Sequence, residues 1–144
     1  MVYITIFWIL VRLVGGKSAA EGRVEIKHNG IWGTICTFGW RIATANVICR
    51  SLGYPGAKDN HLIFGQSNNF GPGNGTVWLS NVRCHGNESF ITECPFSGWG
   101  ISSQSCNSHR YDVGVSCITK PGKRYINMSS VSIANKLYKY DNEL

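Results

Sequence analysis

Charge is scarce in this chain: Asp, Glu, Lys and Arg make up 15% of its 144 residues, against about 25% in an average soluble domain, so few surface ion pairs are expected. Long apolar runs are missing too. Met1–Val11, MVYITIFWILV, is broken by Thr5 and stopped by Arg12, well short of the roughly 20 residues of a membrane-spanning helix. No two cysteines have the C-x2-4-C spacing that zinc sites usually need. There is no G-x-S-x-G, no H-E-x-x-H and no paired carboxylates, and His28, His61, His85 and His109 fall in turn- or loop-like contexts as ordinary surface polar groups. An enzyme would lack both nucleophile and base. The absence of an internal repeat excludes solenoids and propellers. With no block of consecutive Lys and Arg and no zinc-finger or basic-helix spacing, nucleic acid is not an expected partner.

What is present suits one small extracellular domain. The length fits about one unit of 100–200 residues, and 43% hydrophobic and 12% aromatic residues suffice to offset chain entropy. Seventeen glycines imply many turns. The net charge of +6 divides about evenly between the body and the stretch after Cys117, which favours polyanions as partners. Six cysteines, Cys36, Cys49, Cys84, Cys94, Cys106 and Cys117, read as disulfides, in about 15 formally allowed pairings among which spacing does not choose. Sequons at Asn74, Asn87 and Asn127 agree with a secretory route.

Residues 1–10 read as a signal-peptide remnant or a truncated N-terminus. The apolar run suits an h-region, and Ser18-Ala19-Ala20 offers a cleavage site, but no basic n-region precedes it. Val11-Arg12-Leu13-Val14-Gly15-Gly16 also reads as a strand closed by a turn, which cleavage after Ala20 would remove. Residues 119–144 read as a basic and polar tail or linker, with Lys120, Lys123 and Arg124 near its start.

In the body, alternation over residues 22–36 puts Val24 and Ile26 on one face of a strand and Arg23, Glu25 and Lys27 on the other, as an outward charged stripe. Asn29-Gly30 marks a primed hairpin turn, after which Ile31–Cys36 returns. Ala45, Ile48, Cys49 and Leu52 recur at helical spacing, with Thr44 as N-cap and Gly53 as stop. Residues 54–75 read as a long Gly/Asn/Pro-rich loop. Short strands are expected over 76–79 and 113–117, and a helical turn before Cys94. Trp32, Trp40, Trp78 and Trp99 are expected to fill the core.

The ordered set Val11–Gly16, Gly22–Glu25, Trp32-Gly33-Thr34-Ile35-Cys36, Val47–Gly53, Trp78-Leu79, Val82-Arg83-Cys84, Glu93-Cys94 and Asp112–Cys117 resembles a scavenger receptor cysteine-rich domain over residues 11–118. The resemblance implies an α+β fold, a small curved antiparallel sheet cradling one main helix, stapled by Cys36–Cys106, Cys49–Cys117 and Cys84–Cys94. Ala20 and Tyr54 stand where the eight-cysteine branch has its additional bridge, so the chain is similar to the six-cysteine branch. It also implies a non-catalytic, secreted or cell-surface binding module for polyanions or extracellular proteins, innate-immune recognition of microbial surfaces among its roles. A module within a larger multidomain receptor or enzyme is the alternative, and membrane association would come only through a longer product. Arg23, Glu25 and Lys27 correspond to a ligand-binding hairpin of the family. Where calcium-dependent members carry acidic residues this chain has Thr37, Phe38, Arg41 and Tyr111, and Ser80-Asn81 replaces a further acidic pair. No cofactor is expected beyond weak calcium binding through Asn81, Asn87 and Glu88.

Overall fold

The computed structural model describes residues 10–58 and 70–119. Residues 1–9, 120–144 and 59–69 of the long loop, with His61 and Asn127, lie outside the described residues. Five strands form one sheet: β1 (Leu10–Gly15), β2 (Glu21–His28), β3 (Ile31–Ile35), β4 (Val77–Leu79) and β5 (Gly114–Ser116). β2 is central because both of its edges are used. β1 runs antiparallel along its whole length from Gly15↔Gly22 to Leu10↔Lys27. On the other edge the C-terminal half of β2 pairs with β3, and Glu21–Arg23 pairs with β5. β3 and β4 pair in parallel with a register shift between Thr34 and Ile35, so one pair departs from the antiparallel pattern.

The hairpin between β2 and β3 turns at Asn29 and Gly30, with φ of 50° and 77°. This left-handed backbone is the reason for the Asn-Gly pair. Helix α1 spans Ile42–Ser51 and is longer than its apolar period indicates. Thr44 is not its N-cap. That position belongs to Arg41, without a side-chain cap bond, while Thr44 is buried inside the helix and its Oγ1 accepts from the Cys84 N–H at 3.3 Å. Gly53, at φ 95°, ends the helix. A 3-10 turn at Ile91–Glu93 precedes Cys94, and a four-residue helix α2, Gln104–Asn107, carries Cys106.

The core lies between the inner face of the sheet and α1: Val24, Ile26 and Ile35 meet Ala45, Ile48, Cys49 and Leu52, with Val82, Ile91 and Val115 around them. Disulfides join Cys36 to Cys106, Cys49 to Cys117 and Cys84 to Cys94. Two of them span 70 and 68 residues and tie strand ends and α1 to the C-terminal part of the fold.

Candidate ligand-binding face

Alternation sends the side chains next to Val24 and Ile26 to the opposite, outer face of the sheet. Three cross-strand rows follow from the register: Val14, Arg23 and Gly114; Arg12, Glu25 and Thr34; Lys27 and Trp32. The middle row carries the strongest electrostatics. Glu25 is buried, and its two oxygens are divided between two guanidiniums. Arg12 Nε and Nη2 donate to Oε2 at 2.7 and 2.5 Å, and Arg23 Nε and Nη2 donate to Oε1 at 3.2 and 2.8 Å. Burial pushes the Glu25 pKa up, but the hydrogen bonds and charges of Arg23 and Arg12 outweigh it and hold the carboxyl below its ordinary 4.5.

Arg23 therefore differs from its expected role as an outward cation. Its Nη1 donates to the carbonyls of Phe70 and Gly71 at 3.2 and 2.9 Å, and only 11% of its side chain is exposed. The loop that follows packs down on the same row. Gly73 N–H donates to Asp112 Oδ2 at 2.7 Å, and a Cβ on Gly73 would stand 2.4 Å from Thr34 Cγ2. A glycine is needed there because the loop backbone lies directly on the sheet.

In the lower row Lys27 and Trp32 are half-buried. The Arg12 guanidinium lies 4.0 Å from the Trp32 ring centroid and the Lys27 ammonium 5.7 Å from it, both within cation–π range. Trp32 is half-buried on this outer face and corrects the expectation that it fills the core. Trp40 is buried in the core, and Trp78 and Trp99 pack partly buried against it. Arg12, which sequence reasoning read as the stop of an apolar run, is the cation that this site adds. Its signal was the alternation of Val11 and Leu13 around it on a strand.

Two of the histidines are more than surface groups. His28 stacks on Trp99, with centroids 3.8 Å apart. His109 Nδ1 lies 3.0 Å from Asp112 Oδ2 and 3.4 Å from Thr34 Oγ1, and its Nε2 lies 3.0 Å from the Gly75 carbonyl oxygen. This resembles a nucleophile–base–acid set only in composition. Thr34 and Asp112 share one ring nitrogen, the other is occupied by backbone, and Thr34 is buried, so no hydroxyl is activated toward solvent.

Of the three residues considered for calcium, Glu88 and Asn81 have their side-chain oxygens engaged. Glu88 accepts from the His85 and Gly86 N–H groups at 2.6 and 3.1 Å, and Asn81 Oδ1 accepts from Arg83 Nε at 2.9 Å. Desolvation raises the Glu88 pKa, and the backbone hydrogen bonds from Gly86 and His85 more than reverse it. Cys84, Glu88 and Cys94 place ligand atoms within 4.8 Å of one another, but both sulfurs belong to a disulfide and offer no thiolate. Calorimetry is expected to show no calcium binding tighter than about 10⁻⁴ M, the weak extracellular range; a micromolar site would show that these carboxylate and amide oxygens exchange their partners for the ion. Of the sequons, Asn74 and Asn87 are exposed.

A family model for the scavenger receptor cysteine-rich domain matches residues 14–118. This chain belongs to the scavenger receptor cysteine-rich family. It is 48% identical over 109 residues to the bovine macrophage scavenger receptor types I and II, and 50% identical over 107 residues to the mouse protein of that name. The matches cover 76% and 74% of this chain but 22% of each relative, so the chain spans about a fifth of their length. The crystal structure of the third such domain of murine neurotrypsin superposes with a TM-score of 0.63 at 39% identity, covering 78% of this chain and 99% of that one. The domain of mouse MARCO, in its dimeric form, gives 0.58 at 36% identity, covering 75% and 94%. The scavenger receptor cysteine-rich domain is a non-catalytic binding module of extracellular or cell-surface proteins, and this chain is one of scavenger-receptor type.

Proposed function

We propose that this module takes polyanions at the corner of its outer sheet face where Arg12 is exposed, with Lys27 and Arg12 as the contacting cations and Trp32 as the surface they share. The observation that carries this reading is the pair of cations over one ring, at 4.0 and 5.7 Å. Glu25 is neutralised by two arginines, which leaves the cluster of Arg12, Arg23 and Lys27 with a positive excess. Arg23 and Glu25 support the site from beneath. A sulfated or phosphorylated polymer fits this chemistry, since a guanidinium and an ammonium side by side favour anionic oxygens.

The test is binding of dextran sulfate to the full chain across a salt series. Affinity is expected to fall steeply as the Debye length shrinks from about 30 Å at 0.01 M to about 8 Å at 0.15 M ionic strength. Lys27→Ala is expected to weaken binding about fivefold, or about 1 kcal/mol, with the fold intact. Salt-independent binding, or no loss in the variant, would exclude the charge mechanism. A second reading, an interaction module of a longer receptor, is supported by the 22% share of the relatives that the chain covers. Sequencing the transcript in both directions tests it.

A further inference from the structure

A second surface with different chemistry lies where the loop after β3 meets the loop before β5. The Cys36↔Asp112 bridge and the Thr37 N–H donating to the Tyr111 carbonyl at 2.8 Å clamp the two loops together. This clamp brings Phe38 and Tyr111 into a stack, with centroids 5.5 Å apart and planes 29° apart. Tyr111 packs its inner side against Cys36, Val77 and Cys106, whereas Phe38 leaves 45% of its surface in water. Arg41 follows the Thr37–Trp40 turn, Arg110 precedes Tyr111, and both are exposed. Among the described residues neither guanidinium has an ion-pair or side-chain hydrogen-bond partner.

The supply of negative charge explains this. The described residues hold five carboxylates, Glu21, Glu25, Glu88, Glu93 and Asp112, and each accepts a hydrogen bond from inside the domain. None serves Arg41 or Arg110. An exposed aromatic ring costs free energy in water, and arginine and aromatic residues are enriched among those that anchor protein interfaces. We propose that Phe38, Tyr111, Arg41 and Arg110 form a docking surface for an acidic segment of another protein that carries an apolar or aromatic side chain. The carboxylates of such a segment would pair with the two guanidiniums while its side chain covers Phe38. The exposed ring adds an apolar contact to the two charges, which suits a polypeptide that carries both acidic and apolar side chains.

The test compares a fluorescent random copolymer of Glu and Tyr with poly-Glu of equal charge, both titrated with the full chain. The copolymer is expected to bind about tenfold more tightly, the size of one good aromatic contact. Phe38→Ala should remove that preference, Phe38→Trp should keep it, and Arg41→Gln with Arg110→Gln should weaken both polymers. Lys27→Ala, which tests the sheet-face site, should leave the preference unchanged, so the two sites fail separately. Equal affinity of the wild-type chain for the two polymers, or a preference that survives Phe38→Ala, overturns the proposal. So does loss of dextran sulfate binding in Phe38→Ala with copolymer binding retained, which would assign the surface to a polysaccharide.

Discussion

Replacing both Cys49 and Cys117 by alanine is expected to cost about 4 kcal/mol, as the chain-entropy relation gives for a loop of this size, whose 68 residues the bridge closes. That is a large fraction of the roughly 5–15 kcal/mol that holds a domain together. The bridge is wholly inside the core. Cys49 and Cys117 are 0% and 1% exposed, and they connect α1 to the end of β5, whose pairing with β2 otherwise rests on three residues. Backbone bonds such as Lys58 N–H to the Ser116 carbonyl and Ile118 N–H to the Gly56 carbonyl also hold that edge, but none of them ties it to α1, so secreted yield should fall sharply and the residual material should bind hydrophobic dyes. Urea denaturation of any soluble fraction gives the number. A loss below about 1 kcal/mol would mean that the helix packs on the sheet without its covalent tie. The Cys84–Cys94 bridge closes a loop of only 10 residues, and its removal is expected to cost less.

Glu25→Ala should destabilise the domain by about 3 kcal/mol, within the range for breaking one side of a buried ion pair. The substitution leaves the guanidinium of Arg23, 11% exposed, held by two backbone carbonyls with no counter-charge. Arg12 loses its anchor as well, although at 44% side-chain exposure it can turn to water. The same carboxylate makes stability depend on pH. Its folded pKa is lowered, so its contribution is fully present above the ordinary value near 4.5 and disappears as pH falls through the lowered one. A denaturation series from neutral pH into that acid range should show a decline in the wild-type chain that Glu25→Ala lacks. Coincident declines, or a cost under about 1 kcal/mol as exposed pairs give, would show that the Arg12–Glu25–Arg23 cluster is a surface pairing.

Much of this architecture is local and was therefore legible in the residues. Asn29-Gly30 can adopt two left-handed conformations in succession, which fixes the β2–β3 hairpin. The spacing of Ala45, Ile48, Cys49 and Leu52 fixes the buried face of α1, and the odd-even alternation of β2 assigns Val24 and Ile26 to the core. The helix start was missed because Thr44, a residue type that caps helices, bonds instead to Cys84, 40 positions away. No local pattern contains that partner. Trp32 was misplaced for a similar reason: size and apolarity favour burial, but its register opposite Lys27 puts it on the outer face beneath Arg12.

The candidate site separates the two levels most clearly. By itself the sequence determined that Arg23, Glu25 and Lys27 share a face, because the period of a strand is two and needs no knowledge of the rest of the chain. It also determined a six-cysteine domain of this family, from the order and spacing of motifs along residues 11–118. How far each of the three charges is covered was decided only by the tertiary structure. β1 brings Arg12 across from Glu25, and the loop at Phe70 and Gly71 settles over Arg23, so one cation becomes structural and one anion becomes buried. Likewise Phe38 and Tyr111 stand 73 positions apart in sequence, and the clamp between their loops makes them one surface. Side-chain exposure depends on what the rest of the chain places on top of a strand, and that covering comes from segments whose approach is set by packing and disulfides rather than by any local periodicity.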